Sequence, residues 1–239
     1  MIRSLLRSRA RRLAADEQGI TLVEITVVVF LFSLVSAVVL AMFVSVSRGS
    51  SENNKINQDT RSASDGMNEM ARMIRAATEN PLQNPAVGVY PNDPAIIGDP
   101  GWTSTRSVAL YAYVNLDSSS ETPVKVRFLV NAQNQLVERK YSATGLTNNH
   151  WTFNAIAQPD RILSDSVVPG SVLFTYFTAT GDTIQVPANG IQDATTLLSI
   201  RSIRVTLQVQ SAGSNLPAIT LQNTVGMPNL GLSRPGTGS

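Results

Sequence analysis

The sequence contains no cysteine, and its 239 residues include a single histidine, His150. The missing cysteine excludes disulfides, thiolate metal sites and cysteine nucleophiles. One histidine excludes metal sites that need two imidazoles and leaves one candidate for a histidine-based triad. The chain also lacks a phosphate-binding loop, a G-x-S-x-G motif and a zinc pattern. We therefore expect no catalytic activity, no metal and no other cofactor.

Four polar residues remain as weak candidates for chemistry. His150 lies in the segment Asn-Asn-His-Trp, which is typical of a turn at the surface. Three acidic residues fall in predicted loops, but the sequence has no twelve-residue EF-hand pattern. We interpret them as turn-forming residues rather than calcium ligands: Asp93, Asp99 and Asp182.

A broad positive field is missing as well. Residues 1–19 hold five arginines against two acids, whereas residues 80–239 hold nine basic and nine acidic side chains. The pI of about 9.1 thus reflects mainly the N-terminal segment. Because nucleic-acid binding depends on a concentrated positive surface, we expect no nucleic-acid partner.

Proline is absent before Pro81, and charge is absent from a long run that begins after Glu24. The 23 residues up to Arg48 contain no charge, no proline and no glycine. As a helix they span about 34 Å, which exceeds the roughly 30 Å of a bilayer core. The run is too long for an ordinary secretory signal peptide. With the arginines before it, the run predicts a single-pass protein with a cytoplasmic N-terminus.

The predicted helix continues beyond the apolar run. Apolar residues in the next segment recur at spacings of 7, 4, 3, 4 and 3, which places them on one helical face. We expect one helix from Ile20 to Ala77, ended by Asn80-Pro81, with a bend at Gly66. Its apolar half covers residues 20–47, and its amphipathic half covers residues 48–79. The apolar stripe consists of Ile56, Ala63, Met67, Met70, Ile74 and Ala77.

Residues 80–226 have a different pattern, which predicts a β-rich globular domain followed by a flexible tail at 227–239. Alternating apolar and polar residues are typical of half-buried antiparallel strands. Such a sheet needs a cover, and the helical stripe can provide it, so the predicted fold class is α+β. Predicted hairpin loops cover residues 131–134, 179–182 and 211–215. The predicted strands cover residues 108–116, 124–130, 135–141, 171–179, 183–186, 198–210 and 218–225.

The segment Gly-Ile-Thr-Leu-Val-Glu, from Gly19 to Glu24, stands directly before the apolar run. Together with the basic leader and the long helix, it resembles the processing site of type IV prepilins and pseudopilins. The family has a basic leader that ends in glycine, a hydrophobic residue that is usually phenylalanine, and then Thr-Leu-Ile/Val-Glu. This chain departs from the pattern by having Ile20 at the phenylalanine position. The resemblance extends over roughly residues 1–80.

The resemblance implies a role for each residue of the motif. A prepilin peptidase would remove residues 1–19 by cutting after Gly19, and Ile20 would become the N-methylated N-terminus. Thr21 and Glu24 would serve subunit docking, with Glu24 facing the α-amino group of a neighbouring subunit. The implied fold is type IV pilin-like, with the long helix packed on an antiparallel sheet.

The same resemblance implies partners and a location. The protein would wait in the cytoplasmic membrane, among lipids, and then join other pilins or pseudopilins in an extracytoplasmic filament through a membrane platform. Segments of the globular part resemble the minor pilins of the PilW and J type, which help to start assembly of a type IV pilus or a type II secretion pseudopilus. The alternative is an uncleaved, single-span protein with an extracytoplasmic binding or adhesion domain.

Overall fold

The computed structural model describes residues 20–80, 93–114, 122–147, 150–210 and 217–230. The chain divides into two compact units, Met1–Asn53 and Asn54–Ser239. It has a long N-terminal helix and antiparallel sheets, which is the predicted α+β class. The helices are α1 (Leu22–Arg75) and α2 (Ala194–Ser199). The strands are β1 (Ser107–Ala112), β2 (Val124–Val130), β3 (Leu136–Thr147), β4 (His150–Phe153), β5 (Arg161–Ser164), β6 (Phe174–Phe177), β7 (Thr183–Ile184), β8 (Ser202–Val209) and β9 (Ile219–Gly226).

Helix α1 begins two residues after the predicted start and ends two residues before the predicted end. It continues through Gly66, where we expected a bend. A Cβ atom at Gly66 would lie 3.2 Å from the Cβ atom of Leu163 in β5. Strand β5 approaches α1 closely at this position, and glycine permits that approach because it has no Cβ atom.

The strands form two antiparallel sheets. The first has the order β1-β2-β3-β4, and β5 pairs with the N-terminal part of β3, beside the part that pairs with β4. The second has the order β7-β6-β8-β9. Most predicted strands are present, several with shorter bounds, whereas β3 extends to Thr147. Residues 115 and 116 of the first predicted strand lie outside the described residues.

Three elements differ from the sequence-based predictions. Strands β4 and β5 were not predicted, and residues 198–201 do not belong to a strand. The segment before β8 instead forms α2, because the Asp193 carboxylate caps it by accepting the Thr196 N–H at 2.8 Å.

Two of the three predicted hairpin loops are present. In the loop between β2 and β3, the Asn131 N–H donates to the Gln135 carbonyl at 3.0 Å, and Asn134 has φ +56°. In the loop between β6 and β7, the Thr178 N–H donates to the Asp182 carbonyl at 3.0 Å. The predicted loop at residues 211–215 lies outside the described residues.

The apolar stripe of α1 is buried, as its spacing predicted. Five of its six residues are at most 6% exposed, and Ile56 is half-buried. The stripe joins one hydrophobic core with side chains from both sheets. The largest fully buried contributors from the sheets include Phe128, Leu110, Phe174 and Tyr176. The sheets therefore provide the apolar cover that residues 56–77 need.

Candidate functional site

The predicted processing motif lies at the N-terminal end of α1. Gly19 is outside the described residues. Ile20 and Thr21 precede the helix, and Glu24 occupies its first turn. All three are exposed, and Ile20 has 73% of its surface open to solvent. The end of the helix is thus accessible to another protein.

Thr21 and Glu24 form a reciprocal pair that starts the helix. The Glu24 Oε2 atom accepts the Thr21 N–H and the Thr21 hydroxyl, both at 2.9 Å. In return, the Glu24 N–H donates to Thr21 Oγ1 at 3.2 Å. This is a capping box, in which an N-cap threonine and a glutamate three residues later satisfy each other's backbone N–H groups. It explains why α1 begins at Leu22.

The capping box was not part of our sequence-based interpretation, although the pattern T-x-x-E before an apolar run is its usual signal. The sequence suggested docking for Thr21 and Glu24, and the geometry adds a local role for both. Only one carboxylate oxygen of Glu24 is used. Within the described part of the chain, Glu24 Oε1 has no hydrogen-bond partner, so it can accept a cationic group.

The helix that follows is apolar on all sides. Its most apolar 18-residue window has a mean hydropathy of 3.0 and no buried residue. By length and composition, α1 can cross a membrane. Two of its hydroxyl groups bond back to the same helix: Thr26 donates to the Val23 carbonyl at 2.8 Å, and Ser33 to the Phe30 carbonyl at 2.7 Å. An apolar surface this large needs lipid or other helices around it.

A second notable surface lies on the face of the first sheet opposite the hydrophobic core. Lys125 pairs with Tyr111 on one side and Tyr141 on the other, so the three side chains share that face. The Lys125 ammonium lies 4.6 Å from the Tyr141 ring centre and 5.7 Å from that of Phe153. Burial lowers the pKa of Lys125. The cation–π contacts offset part of the cost of burying this charge.

Further aromatic contacts complete this aromatic–cation cluster. Trp102 stacks on Tyr141 with 5.8 Å between ring centres, and Tyr111 stacks on Phe153 at 5.3 Å. The Arg127 guanidinium lies 5.0 Å from the Trp102 ring. Strand register brings these residues together from separate elements, and no local motif in the sequence indicates it.

The third notable feature is a group of charged side chains between α1 and the first sheet. Arg72 binds Glu69 with two hydrogen bonds, of 2.7 and 3.0 Å. The neighbouring Glu138 is only 1% exposed and has Lys140 at 3.1 Å and Arg161 at 3.5 Å. The hydrogen bonds from Arg72 lower the pKa of Glu69 to about 2, whereas burial raises the pKa of Glu138. The two carboxylates therefore contribute to stability with opposite signs.

We expect Glu69→Gln to destabilise the fold by about 1 kcal/mol, because it removes a charge-assisted pair whose arginine is half exposed. Glu138→Gln is expected to be neutral or stabilising above the raised pKa of Glu138, because ionised Glu138 opposes folding there. In the parent chain, the contribution of Glu69 is complete above about pH 4.5 and is lost as pH falls toward 2.

Unfolding midpoints of the two variants and the parent, measured by denaturant titration from about pH 2 to neutral pH, provide the test. A large loss of stability in Glu138→Gln at neutral pH would contradict the assignment, because it would mean that the ionised carboxylate of Glu138 stabilises the fold.

Of the weak candidates for chemistry, Asp93 and His150 lie close enough to interact electrostatically; burial raises the pKa of Asp93 and His150 opposes that rise. His150 is the first residue of β4 and pairs with Thr147, the last residue of β3. Residues 148 and 149 of the predicted turn lie outside the described residues. Asp182 accepts the Thr180 hydroxyl at 2.6 Å and forms part of a turn, as expected. No group of three or more histidine or acidic side chains suited to a metal occurs in the described ranges.

A polar groove of about 630 Å³ lies within the second unit, between α1 and β5. Amide and charged side chains line it, among them Asn57, Arg61 and Arg161. Ser62 and Asp65 also line the groove. The Ser62 hydroxyl donates to the Leu163 carbonyl at 2.9 Å, rather than to a base that could activate it.

Comparison with known proteins gives no assignment. No protein-family model matches the chain, and a search of curated proteins finds no significant match.

Proposed function

We propose that this protein is a minor type IV pilin or pseudopilin, a non-catalytic subunit that joins or initiates a filament. One observation supports the proposal above all. The sequence Gly-Ile-Thr-Leu-Val-Glu stands at the accessible start of a helix that is first apolar on all sides and then buries a stripe against sheets. A helix of this kind can occupy a membrane first and the core of a filament later.

In this proposal, a prepilin peptidase cuts after Gly19, and Ile20 becomes the methylated N-terminus. The protein waits in the cytoplasmic membrane with the globular part outside. The arginines of residues 1–19 favour this orientation, since positive charge accumulates on the cytoplasmic side. A membrane platform then transfers the subunit to other pilins or pseudopilins.

Glu24 has two roles in this account. The Oε2 atom accepts the hydrogen bonds from Thr21 in the capping box. The Oε1 atom accepts a hydrogen bond from the charged α-amino group of Ile20 in an adjacent subunit. Such an ion pair is valuable among packed apolar helices, because a charge without a partner is costly in that environment. Only a processed subunit has a free α-amino group at Ile20 and can form this ion pair. Assembly therefore favours processed subunits.

The first test is the intact mass and N-terminal sequence of the protein purified from its own host. A chain that begins at Ile20 and carries one added methyl group supports the pilin pathway. A chain that still begins at or near Met1 contradicts it.

Two substitutions of Glu24 separate its roles. Glutamine can replace glutamate in a capping box but carries no charge. We expect Glu24→Ala and Glu24→Gln both to be processed and to be largely absent from filaments, because both lack the charge. Immunoblots of sheared filament and membrane fractions measure this. Assembly of Glu24→Gln at the parent level would limit Glu24 to starting the helix.

The alternative function is an uncleaved membrane protein with an extracytoplasmic binding domain. The aromatic–cation cluster around Lys125 favours it, because aromatic side chains beside half-buried cations are common in binding surfaces. Retention of residues 1–19 in the protein from its host would distinguish this function from the first.

A further inference from the structure

Within the described residues, strand β9 forms an edge of the second sheet and lacks the usual protection of an edge. It pairs with β8 over all eight residues without a bulge, and it contains no charged residue and no proline. Natural sheets protect their edges by short strands, charges, prolines or bulges, since an open edge recruits another strand. The unprotected state of β9 therefore requires an explanation.

The other sheet edges are short or partly paired. At the opposite edge of the same sheet, β7 has only two residues. In the first sheet, β4 and β5 have four residues each, and β1 forms isolated bridges with Ile96 and Ala77. Among the described strands, β9 is thus the long edge without these features.

The hydrogen bonds of β8 show which backbone groups of β9 are available. Thr206 N–H donates to the Leu173 carbonyl, and the Gln208 carbonyl accepts from Val168 N–H, both at 2.9 Å. These even-numbered residues of β8 therefore direct their backbone groups away from β9. Because backbone direction alternates along a strand, the odd-numbered residues of β8 bond to β9.

The strand register transfers this alternation to β9. Val205 lies opposite Asn223, and Leu207 lies opposite Leu221, so these odd-numbered residues of β9 bond to β8. The even-numbered residues consequently direct their N–H and C=O groups toward the open edge. Three of these even-numbered residues are exposed to solvent: Thr220, Gln222 and Thr224.

The sequence of β9 is nearly symmetric about Gln222. Reading outward from Gln222, threonine matches threonine and isoleucine resembles valine, whereas the innermost pair, leucine and asparagine, differs. When two such strands meet antiparallel with Gln222 opposite Gln222, Thr220 lies opposite Thr224 on both sides. All the open backbone groups of these three residues are then paired, and no like charges meet.

We propose that β9 is a dimerisation surface whose occupant is the β9 strand of a second copy of this chain. The two strands pair antiparallel about a twofold axis at Gln222, which joins two four-stranded sheets into one of eight strands. An interface of this kind is isologous and closed, so it yields dimers rather than fibres. The proposal does not depend on the function proposed above.

The side chains on the core-facing side of β9 support the same partner. Ile219 and Leu221 are only half-buried, although they face the same side as buried Val225. In the symmetric pairing, Ile219 meets Val225 of the second copy, and Leu221 meets its Asn223. The second copy thereby covers two apolar side chains that are half-buried in one copy, and its Val225 gives Ile219 an apolar neighbour.

Disulfide trapping in the full chain tests the proposal, since the natural sequence has no cysteine to interfere. Opposed residues in a bonded antiparallel pair lie about 5.5 Å apart at Cα, within the range that a disulfide spans. Under mild oxidation in membranes, we expect Gln222→Cys to shift to twice its mass on a non-reducing gel. Thr183→Cys, exposed on the opposite edge strand β7, is the matched control and should stay monomeric.

Register is tested with two further single variants. Thr220→Cys and Thr224→Cys should cross-link poorly alone, because each lies opposite the other residue. Co-expression with different epitope tags should yield the mixed dimer. Gln222→Pro should abolish trapping between Thr220→Cys and Thr224→Cys, since it removes an N–H that points to the open edge and spares the bonds to β8.

Two results would overturn the proposal. Equal cross-linking of Gln222→Cys and Thr183→Cys would show random collision or association through α1. Efficient cross-linking of Thr220→Cys alone, without the mixed dimer, would show a different register and therefore a different pairing.

Discussion

Replacement of Gly19 by alanine is expected to leave residues 1–19 attached to nearly all of the protein. In the proposed pathway, the peptidase must bring its catalytic groups close to the backbone at this residue. Glycine permits this close approach because it has no Cβ atom. Intact-mass measurement of the protein from its own host gives the ratio of leader-bearing to processed chain.

The matched control for this prediction is Gly49→Ala. Gly49 lies within α1, where an added Cβ would meet no atom within 4 Å. Alanine is also favoured over glycine inside a helix by about 1 kcal/mol. We expect the control to be processed like the parent chain. Normal removal of residues 1–19 from Gly19→Ala would count against the cleavage site, whatever else the motif does.

The second large effect is expected from Phe128→Ala. Phe128 is fully buried on the core side of β2. Removing a buried phenylalanine ring costs about 3–5 kcal/mol, because apolar contacts are lost and a cavity remains. This cost is a large part of the 5–15 kcal/mol by which a typical domain is stable. Denaturant unfolding of the full chain in detergent, followed by near-UV circular dichroism, measures the loss.

Phe153→Ala is the control for Phe128→Ala. Phe153 is half-buried in β4, on the opposite face of the sheet, and stacks on Tyr111. Loss of that stacking costs about 0.5–1.5 kcal/mol beyond the lost burial. We therefore expect a clearly smaller effect than for Phe128→Ala. Equal effects would mean that the core side of the first sheet is less important for stability than its burial indicates.

The parts of the fold that sequence reasoning predicts have a strong period. The stripe from Ala63 to Ala77 repeats over several turns, and every member is buried as its spacing predicted. Strand β8 alternates over eight residues and lies within the predicted range. Repeated patterns of this kind constrain an element, because a change of register would expose its apolar face.

The parts that sequence reasoning missed are short or depend on tertiary contacts. Strand β5 has four residues and exists because β3 offers an edge beside β4. Helix α2 has six residues and depends on the cap at Asp193. The aromatic–cation cluster forms only when strand register places Lys125 between two tyrosines. No window of local sequence contains that register.

At the N-terminal end of α1, sequence reasoning was incomplete in a different way. The pattern from Thr21 to Glu24 has a local role besides the proposed docking role, and the family resemblance drew attention to docking alone. A threonine followed three residues later by glutamate also starts a helix by itself. The hydrogen bonds show this local role directly.

The packing of α1 also determines how long a newly synthesised chain exposes apolar side chains that are buried in the finished fold. The Ser62 hydroxyl bonds to the Leu163 carbonyl, 101 residues later in the sequence. At a synthesis rate of roughly 5–20 residues per second, that strand appears roughly 5–20 s after the helix it covers. During this interval the side chains of Met67, Met70 and Met73, which are at most 6% exposed in the finished fold, have at most an incomplete first sheet to pack against. A chaperone or the membrane surface has to shield them until the last strands arrive.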